Sequence, residues 1–132
     1  MKYLRFVQPN AIEHLGAREG FFCAAYDLRS RPGLDQYTSD RLEDHLGWFR
    51  EHLAIPGRFN RSKSKGSLDR NAAGLSWFKH DATEVIARAY DLIHLLRDNG
   101  YPIEIIRTER VGYIVYEDAH QAVAEPFSDT PV

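Results

Sequence analysis

The stretch DATEVIARAYDLIHLLRDNG, residues 81–100, constrains the fold more than any other part of the chain. Val85, Ile86, Ala89, Leu92, Ile93 and Leu96 recur at the spacing of one helical face. Asp81 stands where a cap would accept from free backbone N–H groups, and Glu84 falls in the first turn, near the positive end of the helix dipole. Asn99-Gly100 supplies a left-handed stop. Three β-rich runs then follow in quick succession, PIEIIRTE, GYIVYE and HQAVAEPF. The short spacings around Arg110-Val111-Gly112 and Asp118-Ala119 predict antiparallel hairpins between them. A helix with one apolar stripe and a meander with one apolar face each need a cover, and each is the other's nearest candidate.

The N-terminal half supplies the remaining elements. KYLRFVQ alternates and reads as a strand stopped by Pro9-Asn10, and it joins the same sheet because a lone strand cannot satisfy its backbone donors. Residues 17–29 read as a helix with Ala17, Phe21, Ala24, Ala25 and Leu28 on its apolar side, ended by Pro32-Gly33. A second helix is predicted from Ser39 to Leu53, capped by Thr38 or Ser39, with Leu42, Leu46, Phe49 and Leu53 inward. Ile55-Pro56-Gly57 ends it, and residues 66–79 read equally as a short helix or an extended run. The expected fold is α+β: a two-layer single domain over residues 1–132, with helices packed on a mostly antiparallel sheet in the order β-α-α-loop-α-β-β-β. A basic loop occupies about 57–70, and a tail at 128–132 is expected to fray.

Composition adds boundaries. A chain of 132 residues with 43% hydrophobic and 27% charged residues is long and apolar enough for one core. One cysteine excludes an internal disulfide framework and fits a reducing compartment. No run approaches the roughly 18 apolar residues of a membrane span. The start MKYLRFVQPN is charged and lacks a signal peptide's apolar region, so the expected location is the cytoplasm, without membrane contact.

The net charge of −2 conceals an asymmetry. RFNRSKSKGSLDR, residues 58–70, carries five cations (Arg58, Arg61, Lys63, Lys65, Arg70) against one acid, Asp69. From Glu117 onward there are four acids and no lysine or arginine. A P-loop does not fit the segment: counting from Gly57, Ser62 stands where the second glycine belongs, and Gly66 precedes Ser67 instead of a lysine. What remains is a polar segment whose cations, with the hydroxyls of Ser62, Ser64 and Ser67, can hold an anion. The flanking Trp77, Phe78 and Phe59 could stack on bases, but an aromatic pair at this position also reads as core. Asn60-Arg61-Ser62 matches a glycosylation sequon, idle without secretion.

No other constellation passes a spacing test. His45 and His52 share a helix face but lie about 10.5 Å apart by helical rise, too far for one ion. His14, His80, His94 and His120 are isolated, so no metal and no cofactor is expected. Tyr116, Glu117, Asp118 and His120 could support general acid/base chemistry, or could simply form a polar hairpin turn. Cys23, between Phe22 and Ala24, reads as a buried small hydrophobe. The leading expectation is a small binding or regulatory domain that engages a phosphate-bearing ligand, either nucleic acid or a nucleotide, through residues 58–70. The alternatives are a protein-interaction module, docking on an acidic partner or as a homodimer, and a small enzyme using the Glu117/His120 hairpin or the basic segment.

Overall fold

The computed structural model describes residues 1–12, 17–59 and 74–132. It is an α+β fold with three helices on one face of a six-stranded antiparallel sheet. The described elements are β1 (Tyr3–Ile12), β2 (Ala17–Gly20), α1 (Phe21–Arg29), α2 (Gln36–His52), β3 (Leu75–Lys79), α3 (Thr83–Asp98), β4 (Glu104–Thr108), β5 (Tyr113–Glu117) and β6 (Gln121–Glu125).

Two strands are added to the predicted order, and both come from segments with mixed signals. Ala17–Gly20 extends as β2 instead of opening the first helix, because β1 runs on past Pro9 to Ile12 and offers it a partner. The register between them is irregular from Val7 to Ala11, which is how a strand tolerates a proline that cannot donate to the ladder. Leu75–Lys79, left open by the sequence, is β3, paired with β1 at one end and along its length with β6.

The caps also move. Asp35, not Thr38 or Ser39, caps α2 by accepting from the Thr38 backbone N–H at 2.9 Å, so the helix starts earlier than predicted. Ala82, not Asp81, occupies the N-cap of α3, with no side-chain cap; Glu84 does lie in the first turn. Gly100 has φ +90° as the stop requires, and Tyr101 N–H donates back to the Leu96 carbonyl at 3.0 Å.

Of the two predicted hairpins, β5 and β6 pair as one, while β4 crosses over to pair with β1 from Tyr3↔Thr108 to Val7↔Glu104. Gly112, in the connection between β4 and β5, has φ +118°, and a Cβ there would stand 1.9 Å from the Glu125 carbonyl oxygen, so this position requires glycine. In the C-terminal residues, Thr130 is buried and donates to the Arg110 carbonyl at 2.8 Å, and Arg18 Nε donates to the Val132 oxygen at 3.0 Å. These contacts hold a stretch that the sequence alone leaves without a partner.

Alternation along the strands divides the interior in two. Leu4, Phe6 and Phe78 face the helices and join Phe21, Leu42, Leu46, Phe49, Leu92 and Ile93 in the main core. Tyr3, Val7, Trp77, Ile106, Val111, Ala122 and Ala124 form a second, smaller cluster. The third helix is the centre of the main core as its stripe predicts, with Leu92, Ile93 and Leu96 fully buried.

β1 is the hub that creates the site. It pairs with β4 on one edge along Tyr3–Val7. On its other edge it meets β3 at Tyr3 and Leu4, and β2 from Val7 onward. Arg5 and Phe6 lie between those pairings, where the sheet forks.

Candidate functional site

A cleft of about 430 Å³ opens at this fork. Phe6, Phe78 and Gln121 reach it from the helix-bearing face, and Arg5 and Trp77 from the strands that part there. Helix α1 contributes Phe21, Phe22, Cys23 and Tyr26, while the end of α2 and the turn after it contribute Phe49, Leu53, Ile55 and Pro56. The lining is mostly apolar and aromatic, the usual character of a small-molecule site.

Arg5 is the main electrostatic feature. The residue is 7% exposed; Nη2 donates to the Arg18 carbonyl at 2.7 Å, and the guanidinium carbon lies 5.7 Å from the centre of the Trp77 ring. Burial, then the charge of Arg18, lowers its pKa to about 10 against a smaller opposing pull from Cys23. It stays charged at neutral pH. Its Nη1 and the Trp77 Nε1 are both buried with no hydrogen-bond partner among the described residues.

Cys23 corrects the expectation of a buried thiol. It is exposed, because the buried stripe of α1 is Phe21, Ala24, Ala25 and Leu28 and Cys23 falls outside it. Partial enclosure in the cleft wall, then Glu19, raise its pKa against the nearby Arg5, so the thiol stays protonated.

The described residues on either side of 60–73 meet beside the cleft. Arg58 and Phe59 are exposed, and Gly74 N–H donates to the Phe59 carbonyl. That approach requires glycine, since a Cβ at Gly74 would stand 2.5 Å from the same oxygen and 2.7 Å from Val123. Pro56 and Gly74 both line the cleft. Of the predicted anion ligands only Arg58 is described; Arg61, Ser62, Lys63, Ser64, Lys65, Ser67 and Arg70 lie outside the described residues. Trp77 and Phe78 are core residues, 1% and 7% exposed, so neither presents a free face for base stacking.

The Glu117/His120 hairpin is built as a turn. Glu117 pairs with Lys79 at 3.0 Å. Asp118 organises the rest: Oδ1 accepts from the backbone N–H groups of His120 and Gln121 at 2.9 and 3.1 Å. Its Oδ2 accepts from the Tyr116 hydroxyl at 2.8 Å and the Gln121 side chain at 3.1 Å. Burial would raise the Asp118 carboxyl, but the bonds from His120, Gln121 and Tyr116 outweigh it and hold the pKa low.

Among the histidines, His52 stacks on Trp48 with centroids 4.3 Å apart, and His45 is buried with Nδ1 unpartnered among the described residues. No group of three His, Cys, Asp or Glu among the described residues could hold a metal ion. No described helix is long and apolar enough to cross a membrane.

Sequence reasoning passed over Arg5, which looks like the outward residue of an alternating strand. The available signal is its place in KYLRFVQ, a cation among apolar neighbours on a strand predicted to join the sheet. Compared with protein-family models, curated proteins and solved structures, the chain has no match.

Proposed function

We propose that this chain is a binding domain that engages a phosphate-bearing ligand, a nucleotide or nucleic acid, through the basic segment 58–70. The observation that carries this reading is the Gly74–Phe59 backbone bond, which sets the two residues flanking 60–73 side by side, with Gly74 in the wall of an aromatic cleft. Arginine offers a bidentate fork to phosphate and lysine a looser point charge. Arg58, Arg61 and Arg70 therefore set specificity, and Lys63 and Lys65 set long-range attraction.

The test is a salt titration of binding to short RNA, duplex DNA and AMP, comparing wild type with a Lys63→Gln/Lys65→Gln double variant and using circular dichroism to check folding. The double variant should lower the slope of log affinity against log salt by up to about two units on duplex DNA. An unchanged slope places the contact elsewhere, and absence of binding by the wild type at low salt refutes the reading.

One observation favours a second reading, an interaction module or homodimer. β5 is an outer strand of the sheet, and its Tyr113 and Ile114 are 53% and 37% exposed. Concentration-dependent dimerisation by sedimentation, without any nucleotide or nucleic-acid binding, would support it instead.

A further inference from the structure

Arg5 is a cation that the described fold does not neutralise. Nη2 is occupied by a main-chain carbonyl, and no described carboxylate stands at ion-pair distance from it. Trp77, 1% exposed, leaves its indole N–H equally unanswered among the described residues. Burying a charge and a polar donor without partners is costly, and such costs persist where a ligand offsets them. Both residues line one cleft, and the guanidinium carbon lies 5.7 Å from the centre of the Trp77 ring, so the two donors belong to one neighbourhood. The remaining walls, including Phe21, Phe49, Leu53 and Ile55, are apolar.

We infer that this cleft binds a small monocarboxylate with an apolar body, its carboxylate received by Arg5 Nη1 and Trp77 Nε1 and its body laid against Phe21, Phe49 and Leu53. One cation and two donors match a planar, singly charged, two-oxygen group. A phosphate dianion asks for more charge and more donors than these residues supply, and a neutral ligand would leave the guanidinium unanswered. The inference invokes Arg5, Trp77 and three apolar wall residues, and it stands whether or not the basic segment binds phosphate.

Octanoate, octanol and octyl phosphate make the test, titrated into the wild-type protein by calorimetry while the two indole N–H signals are followed by NMR. Octanoate should bind roughly ten- to a hundredfold tighter than octanol, the margin of a charge-assisted contact. The Trp77 indole signal should move with octanoate and not with octanol, and the Trp48 signal should stay in place. Arg5→Met should bring octanoate down to the level of octanol. Should that variant not fold, Trp77→Phe, which keeps a ring and removes the donor, should weaken octanoate severalfold and leave octanol unchanged. Octanol binding as tightly as octanoate, octyl phosphate binding tighter than octanoate, or no binding of any of the three would each overturn the inference.

Discussion

The two apolar clusters on either side of the sheet are built to different standards. The cluster under the helices is large and aromatic-rich, and it places Phe6 and Phe21 edge-to-face at 5.4 Å while Leu28, Leu42, Leu92 and Leu96 are sealed from solvent. The cluster around Tyr3, Val7 and Trp77 is smaller and shares its strand with a buried cation. One side spends its sequence on burial; the other gives up some burial to keep polar donors in place. The buried cation and the unpartnered indole thus sit on the face opposite most of the buried apolar surface, so each layer can be altered while the other is watched.

The sharpest way to break that comparison is a cavity under the helices. Leu92→Ala should cost about 2–5 kcal/mol, the range for removing a fully buried leucine, read as the loss in denaturation midpoint. A melt unchanged by this substitution would mean that α3 is not the keystone its burial indicates. Arg5→Met probes the opposite layer. It removes a desolvated charge and one hydrogen bond while keeping an unbranched apolar side chain, so stability should stay within about 1 kcal/mol of wild type. A loss as large as that of Leu92→Ala would show that Arg5 is structural and that the two layers are not separable.

The smallest effect comes from within the helix layer, at His45. Burial, then the charges of Arg88 and Arg41, push its pKa down, opposed by Asp91 and Asp44. The folded state thus holds the proton less tightly than the unfolded chain, whose histidines titrate near about 6.5. The stability contributed by neutral His45 is fully present above that value and falls as pH drops toward the lower folded pKa, below which the loss levels off. His45→Gln should flatten this part of the stability–pH curve. A curve of unchanged shape would place the titration on another group.

What the sequence made legible follows from how local each cause is. The stripe of α3 and the left-handed Gly100 depend on residues within a few positions of one another, and both are found as the pattern implies. β2 and β3 depend on partners far away. Ala17–Gly20 has a helix-like continuation into Phe21 and becomes a strand because β1 supplies a ladder, and β3 extends because β6 does. The hairpin error has the same origin: β4 leaves its sequence neighbour for β1, about a hundred positions earlier, a pairing no local signal encodes. The site was harder still. Arg5 matters because of where three strands of one sheet meet, and a cation in an alternating strand reads as solvent-facing until the second layer is known. The basic segment, conspicuous by its charge, is legible as composition, whereas the contact between Phe59 and Gly74 is a glycine approach that only the folded chain reveals.

The three-way pairing of β1 also sets an order of events during synthesis. β2 follows β1 closely, so one edge of the first strand is partly occupied as soon as residue 20 has emerged. Its other edge has no partner until Glu104–Thr108 are made, a delay of several seconds at the roughly 5–20 residues per second of translation. Through that interval a strand carrying Leu4, Phe6 and Val7 exposes unpaired backbone groups, the condition under which chains pair with one another instead of with themselves. Arg5, in the middle of that run, is a gatekeeper against such pairing before it has any other task.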